Sequence, residues 1–118
     1  MSIIKDQIQE ELNKALKEGN EVTLSTLRML SAVVANKEKE KQYKEKKDLT
    51  EEEITDIIVS EAKKRRESIS EFEKGDRKDL ADKEKLELEV LAKYLPEQLS
   101  EEEKEILRGL GYIGSEKP

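Results

Sequence analysis

Apolar residues recur at spacings of three and four along most of this 118-residue chain, and nowhere do they alternate with polar ones. That period gathers them on one face of an α-helix, whereas a half-buried strand needs alternation. The chain is therefore expected to be all-α: a multi-helix bundle of about four amphipathic helices plus a short C-terminal helix, with no sheet.

The breaks fall where helix-stopping residues stand. Ile4, Ile8, Leu12, Ala15 and Leu16 form a first stripe, with Ser2 as its N-cap and Gly19-Asn20 as the left-handed residues that end it. A second stripe starts near Glu21 or Val22 and runs through Leu24, Leu27, Leu30 and Val34, widened by Met29 and Val33. Beyond Asn36 the pattern gives way to KEKEKQYKEKK, six lysines against three glutamates. Glu–Lys pairs one turn apart support helix there only weakly, so this run reads as a solvated extension that frays before Leu49.

Leu49-Thr50-Glu51-Glu52-Glu53-Ile54 combines a capping box (Thr50 with Glu53), an acidic first turn and a Leu49–Ile54 staple. The stripe that follows, Ile54, Ile57, Ile58, Ala62, Arg65, Ile69 and Phe72, marks the best-defined helix of the chain. Lys74-Gly75-Asp76 breaks it. The next helix, from about Arg77 to Leu95, is expected to bury Leu80, Leu88, Leu91 and Leu95, with Leu86, Val90 and Tyr94 on an adjoining row. Pro96 cannot continue it. Ser100-Glu101-Glu102-Glu103 repeats the capping pattern ahead of Ile106, Leu107 and Leu110, and Gly109, Gly111 and Gly114 then dissolve the helix.

Charged residues make up 44% of the chain and hydrophobic ones 34%, so the core must be thin and aliphatic. The net charge of −6 argues against a dedicated nucleic-acid binder, though it leaves room for one local basic patch. Cysteine and histidine are both absent, which removes disulfides, thiolate metal sites, the commonest general base and the commonest zinc ligand. No metal site and no cofactor is expected. No apolar run approaches the roughly 20 residues needed to cross a bilayer, and the N-terminus lacks a secretory h-region. A cytoplasmic location away from membranes follows as the expectation.

Candidate functional residues are cationic. Lys63-Lys64-Arg65-Arg66 is the densest basic cluster, but four consecutive helical residues point all round the axis. Arg65 falls on the apolar stripe, where its stem packs and its head snorkels outward. Lys63, Lys64 and Arg66 face solvent; they either meet an RNA backbone by charge neutralisation or pair with Glu61, Glu67 and Glu71. Arg28, between Leu27 and Met29, either clamps a carboxylate or phosphate or makes an interhelix ion pair to Asp79 or Glu87. Arg77 either reaches a ligand or steadies the turn. Tyr94 and Tyr112 either stack on bases or serve otherwise, Tyr94 as a partly buried anchor at a helix end and Tyr112 as an exposed docking residue. No nucleophile–base pair and no Gly-rich phosphate loop accompany them.

The wording of three blocks resembles the YqeY family, small relatives of the tail region of GatB: STLRMLSAVVANKEKEK at 25–41, LTEEEI at 49–54 and KKRRESISEFEKGDRKDLADKEKLELEVLAKYLPEQLSEEE at 63–103. GatB is the tRNA-engaging subunit of glutamine-dependent aspartyl/glutamyl-tRNA amidotransferase. The resemblance implies a helical subdomain over 1–96, joined through YLPEQLS to a linker and remnant of a C-terminal subdomain over 97–118, truncated or replaced and expected to be mobile. It also implies association with amidotransferase function (a carbon–nitrogen ligase with glutamine as amido donor) without possession of its active site. The expectation is a monomeric, non-catalytic adaptor contacting tRNA or a tRNA-handling protein through Arg28, Lys63, Lys64, Arg66 and Arg77. The alternative is a protein–protein interaction module with no RNA contact.

Overall fold

The structure, a computed structural model, describes residues 2–95; the expected C-terminal helix, its capping box, Tyr112 and the 97–118 segment lie outside the described residues. Four helices make up the described chain, α1 (Ile3–Glu18), α2 (Glu21–Glu45), α3 (Glu51–Lys74) and α4 (Lys78–Ala92), with no strand among the described residues.

The helix ends follow from their capping residues. Ser2 Oγ accepts from the Lys5 N–H, 3.0 Å away. Gly19 takes a left-handed φ of 69°, and the Asn20 N–H reaches back to the Ala15 carbonyl at 2.9 Å. That six-residue closure is the Schellman turn, whose left-handed position suits glycine because it has no Cβ to clash. Asn20 is not a second left-handed residue, as the sequence suggested. Its φ is −82° and its side chain caps α2 by accepting from the Thr23 N–H. One residue ends α1 and the next begins α2.

The capping box at Thr50 is complete. Thr50 Oγ1 accepts from the Glu53 N–H at 3.1 Å, and Glu53 Oε1 accepts from the Thr50 N–H at 2.9 Å. At the far end of α3 the Schellman turn recurs, with the Arg77 N–H on the Phe72 carbonyl at 2.8 Å. Here Asp76, not Gly75, holds the left-handed position: its φ is 57°, while Gly75 sits at −86°. Aspartate tolerates that region better than most residues, because its short polar side chain can bond locally.

Ile8, Leu27, Leu30, Val34, Ile54, Ile58, Ala62, Val90, Leu91 and Leu95 form one buried cluster drawn from all four helices and the turn after α4. α3 packs most extensively on α4 and α1 on α2, and α2 and α3 each touch all the other helices. The largest completely buried side chains among the described residues are Leu27, Leu30, Ile54, Ile58 and Leu91. Each contributes about 1.5–3 kcal/mol by leaving water, so a handful of residues dominates the stability of a thin core. In α4 the row is turned relative to expectation: Ala81 and Val90 are buried, Leu80 and Leu88 only partly, and Leu86 stays 48% exposed. Tyr94 is half-buried against the cluster, and burial, with help from the Glu11 carboxylate, pushes its phenol up to about 12.

The lysine-rich extension is helical and gives way to loop before Leu49, as expected. α2 runs to Glu45 and closes at Lys46, a left-handed cap whose N–H bonds the Gln42 carbonyl at 3.0 Å. Its restraint comes from outside the helix. Glu38 pairs with Lys5 of α1 and accepts from the Leu49 N–H, and Lys41, its side chain only 13% exposed, pairs with the Glu53 carboxylate of the capping box.

Candidate functional site

Arg65 is the hub of the charged residues. It projects from the core-facing side of α3, and its side chain is only 17% exposed. Its Nε lies 3.0 Å from Glu87 Oε1 and 3.4 Å from Glu84 Oε2, both on α4, and its Nη2 lies 3.8 Å from Met29 Sδ on α2. The Nε–H is angled away from a proper hydrogen bond to either carboxylate, so these contacts act through charge more than through directed bonding. A single guanidinium thus ties three helices together. Its planar head, wide enough to span two carboxylates, suits arginine to that junction better than lysine.

That arrangement decides the fate of Arg28. Glu87, one of its expected partners, is taken by Arg65; Asp79, the other, is taken by Arg77, whose Nε and Nη2 each lie 3.3 Å from the two Asp79 oxygens. Arg77 also holds the Asp79 carboxyl below its ordinary range, chiefly by that hydrogen bond. That contact is a local one, at the start of α4. Arg28 is left exposed on α2 with no ion pair among the described residues.

The remaining candidates lie on the far side of α3. At 100° per residue, Lys63 points away from the core defined by Ile58 and Ala62, while Lys64 and Arg66 flank it on opposite sides. Lys64 Nζ pairs with Glu61 Oε2 at 3.2 Å, and Arg66 is exposed but already engaged within the chain. Lys63 is exposed with no ion pair among the described residues. The cluster does not converge on one point. Glu61 is itself buried, at 6% exposure, a burial that the apolar stripe does not reveal because a glutamate is ordinarily solvated. Among the described residues, no group of three or more Cys, His, Asp or Glu is placed to hold a metal ion, and no helix is long and apolar enough to cross a membrane.

A family model described as "Yqey-like protein" matches residues 5–109, nearly the whole chain. The chain belongs to the YqeY-like family. Among curated proteins, it is 33% identical over 88 residues to a Lachancea thermotolerans protein named "Altered inheritance of mitochondria protein 41, mitochondrial", covering 75% of this chain and 46% of that one. A Kluyveromyces lactis protein of the same name is 32% identical over 87 residues, covering 74% of this chain and 45% of its own. An uncharacterized Schizosaccharomyces pombe protein is 30% identical over 95 residues, covering 79% and 72%. The chain thus spans about half the length of the first two relatives. Within this YqeY-like chain, Arg28, Lys63 and Arg65 all fall in the blocks that carry the resemblance, and the structure brings α2 and α3 together at Arg65 and Met29.

Proposed function

We propose that this chain is a non-catalytic helical adaptor of the GatB/YqeY type, associated with tRNA-dependent amidotransferase function and contacting tRNA. The observation that carries the reading is Arg28, an exposed arginine whose expected intramolecular partners are held by Arg65 and Arg77. An exposed cation with no internal partner is available to a phosphate at little cost in broken contacts. Lys63 is available in the same way. Lys64, Arg66 and Arg77 join only by exchanging partners they already hold.

The adaptor acts as a monomer in the cytoplasm. The mitochondrial compartment in the relatives' printed names is the competing location, and imaging of the tagged chain in its own cell separates the two.

A salt series of tRNA mobility shifts with the whole chain tests the reading. Contact with several phosphates predicts binding at low salt that falls steeply as salt rises. Absence of any shift at low salt and micromolar protein would sink it. A second reading, a protein-interaction module with no RNA contact, is favoured by one feature: the exposed Leu86 beside Val22 and Val90 in a groove between α2 and α4. Under that reading, tRNA is ignored and Leu86→Asp abolishes capture of a protein partner.

A further inference from the structure

The lysine-rich half of α2 holds more positive charge than its own ion pairs absorb. Glu38 is taken by Lys5 and Glu40 by Lys44, at 3.1 Å, while Lys41 turns to Glu53 on α3. Lys39 and Lys46 hold no ion pair among the described residues, and both are exposed.

These residues share a face. Counting 100° per residue around α2, Arg28, Lys39 and Lys46 fall within an arc of about 20°, opposite the side that buries Leu27, Leu30 and Val34, over about 27 Å of helix. Tyr43 lies on the edge of the same arc and is 83% exposed, the most exposed large hydrophobic side chain among the described residues. Between Arg28 and Lys39 the face carries only Ala32, Ala35 and Asn36. No carboxylate stands on it from Arg28 to Lys46, in a chain with 29 acidic residues. The nearest one beyond, Asp48, is turned onto Gln42.

We infer that this outward face of α2 is a binding strip for single-stranded RNA, with backbone phosphates on Arg28, Lys39 and Lys46 and a base stacked on Tyr43. The inference rests on the RNA-contact reading above and moves its centre from the basic cluster of α3 to α2. Each part has a physical reason. Spaced cations on one acid-free line match a polyanion that runs along the helix. The small side chains between them let the strand lie close to the backbone. An exposed tyrosine ring flanked by lysines is the stacking platform that unpaired bases use, and duplexes do not offer their base faces. A membrane surface is the poorer occupant, because it needs a broad apolar band and this face has none.

Fluorescence polarisation of a short labelled oligouridylate, titrated with the whole chain over a salt series, tests the strip. The expected result is low-salt binding with a log–log salt slope of roughly −2, from about three phosphates at ~0.7 each. Tyr43→Ala should weaken binding roughly tenfold with the slope unchanged. Lys39→Glu should weaken it and flatten the slope, while the same charge change at exposed Lys83 on α4 should do neither. Circular dichroism confirms that each variant keeps its helix content.

Wild-type binding that ignores Tyr43→Ala and Lys39→Glu but fails in Lys63→Glu overturns the strip and leaves the RNA reading standing. No binding of either oligouridylate or tRNA overturns both. A polyglutamate probe that binds as tightly as RNA, indifferent to Tyr43→Ala, marks an acidic-protein site and also overturns the strip.

Discussion

Between Glu21 and Val34, α2 buries Thr26, Leu27, Leu30 and Val34; between Ala35 and Glu45 it buries nothing and is tethered by ion pairs to α1 and α3. The backbone hydrogen-bond ladder runs through both halves without a break. What differs is the force outside the ladder. The first half is held by apolar burial, which is indifferent to salt and to carboxylate titration. The second is held by charges near the surface, which respond to both. One continuous helix thus contains two elements with different dependence on solution conditions.

The largest effect should come from the apolar half. Leu30→Ala removes a completely buried side chain and should cost about 2–5 kcal/mol in denaturant unfolding. A cost under 1 kcal/mol would mean that the first half is not held by burial.

Acid should act next, and on the other half. Glu53 is held below its ordinary value of 4.5 by the Lys41 hydrogen bond first and the Thr50 N–H second, and Glu40 by Lys44. Glu51 is lowered as well, chiefly by the Ser2 hydroxyl, with the Ile4 and Ile3 N–H groups adding to it. A depressed native pKa contributes stability that is complete above 4.5 and lost as pH falls through the lower native value. Amide protection between 37 and 45, taken relative to the intrinsic exchange rate at each pH, should therefore fall below pH 4.5, before that of Leu27 and Leu30 changes. Simultaneous loss of both would erase the distinction.

Lys41→Met should reproduce part of the acid effect at neutral pH. It keeps the apolar stem and removes the pair to Glu53, so exchange in the second half rises while the unfolding midpoint moves little. High salt should mimic it in the wild type. Smallest of all is Lys39→Ala, on the exposed face, expected within about 0.5 kcal/mol of wild type in the same unfolding assay.

The helices themselves were legible because their ends are written locally. Ser2, Thr50 with Glu53, and the Gly19 turn act over three to five residues, a range in which sequence and structure coincide. Packing was less legible where a face borders two partners. Leu86 and Val90 are both apolar and stand on the same row, and only the neighbouring helices decide which is covered. The break at Lys74-Gly75-Asp76 was legible too, though not that Asp76 would be its left-handed residue, since glycine and aspartate both tolerate that region.

At the candidate site, the cations were visible, as was the local Lys64–Glu61 pair, but the long-range pairings were not. Glu87 was expected to pair with Arg28, and Arg65 to turn its head outward; that Arg65 takes Glu87 instead depends on how α3 and α4 meet at long range. The tethering of the lysine-rich run escaped for the same reason: Lys5 and Glu53 are distant in sequence from the residues they hold.

The turn at Gly19 and Asn20 has no slack. Because the residue that closes α1 is followed at once by the residue that caps α2, no spare backbone exists to absorb a change in length. One inserted residue would have to be taken up by rotating α1 about 100° on its axis, turning Ile8 and Ala15 out of the core. The first two helices therefore behave as a single rigid part. Changes in chain length belong instead in the connection from Lys46 to Thr50, where five residues join α2 to α3.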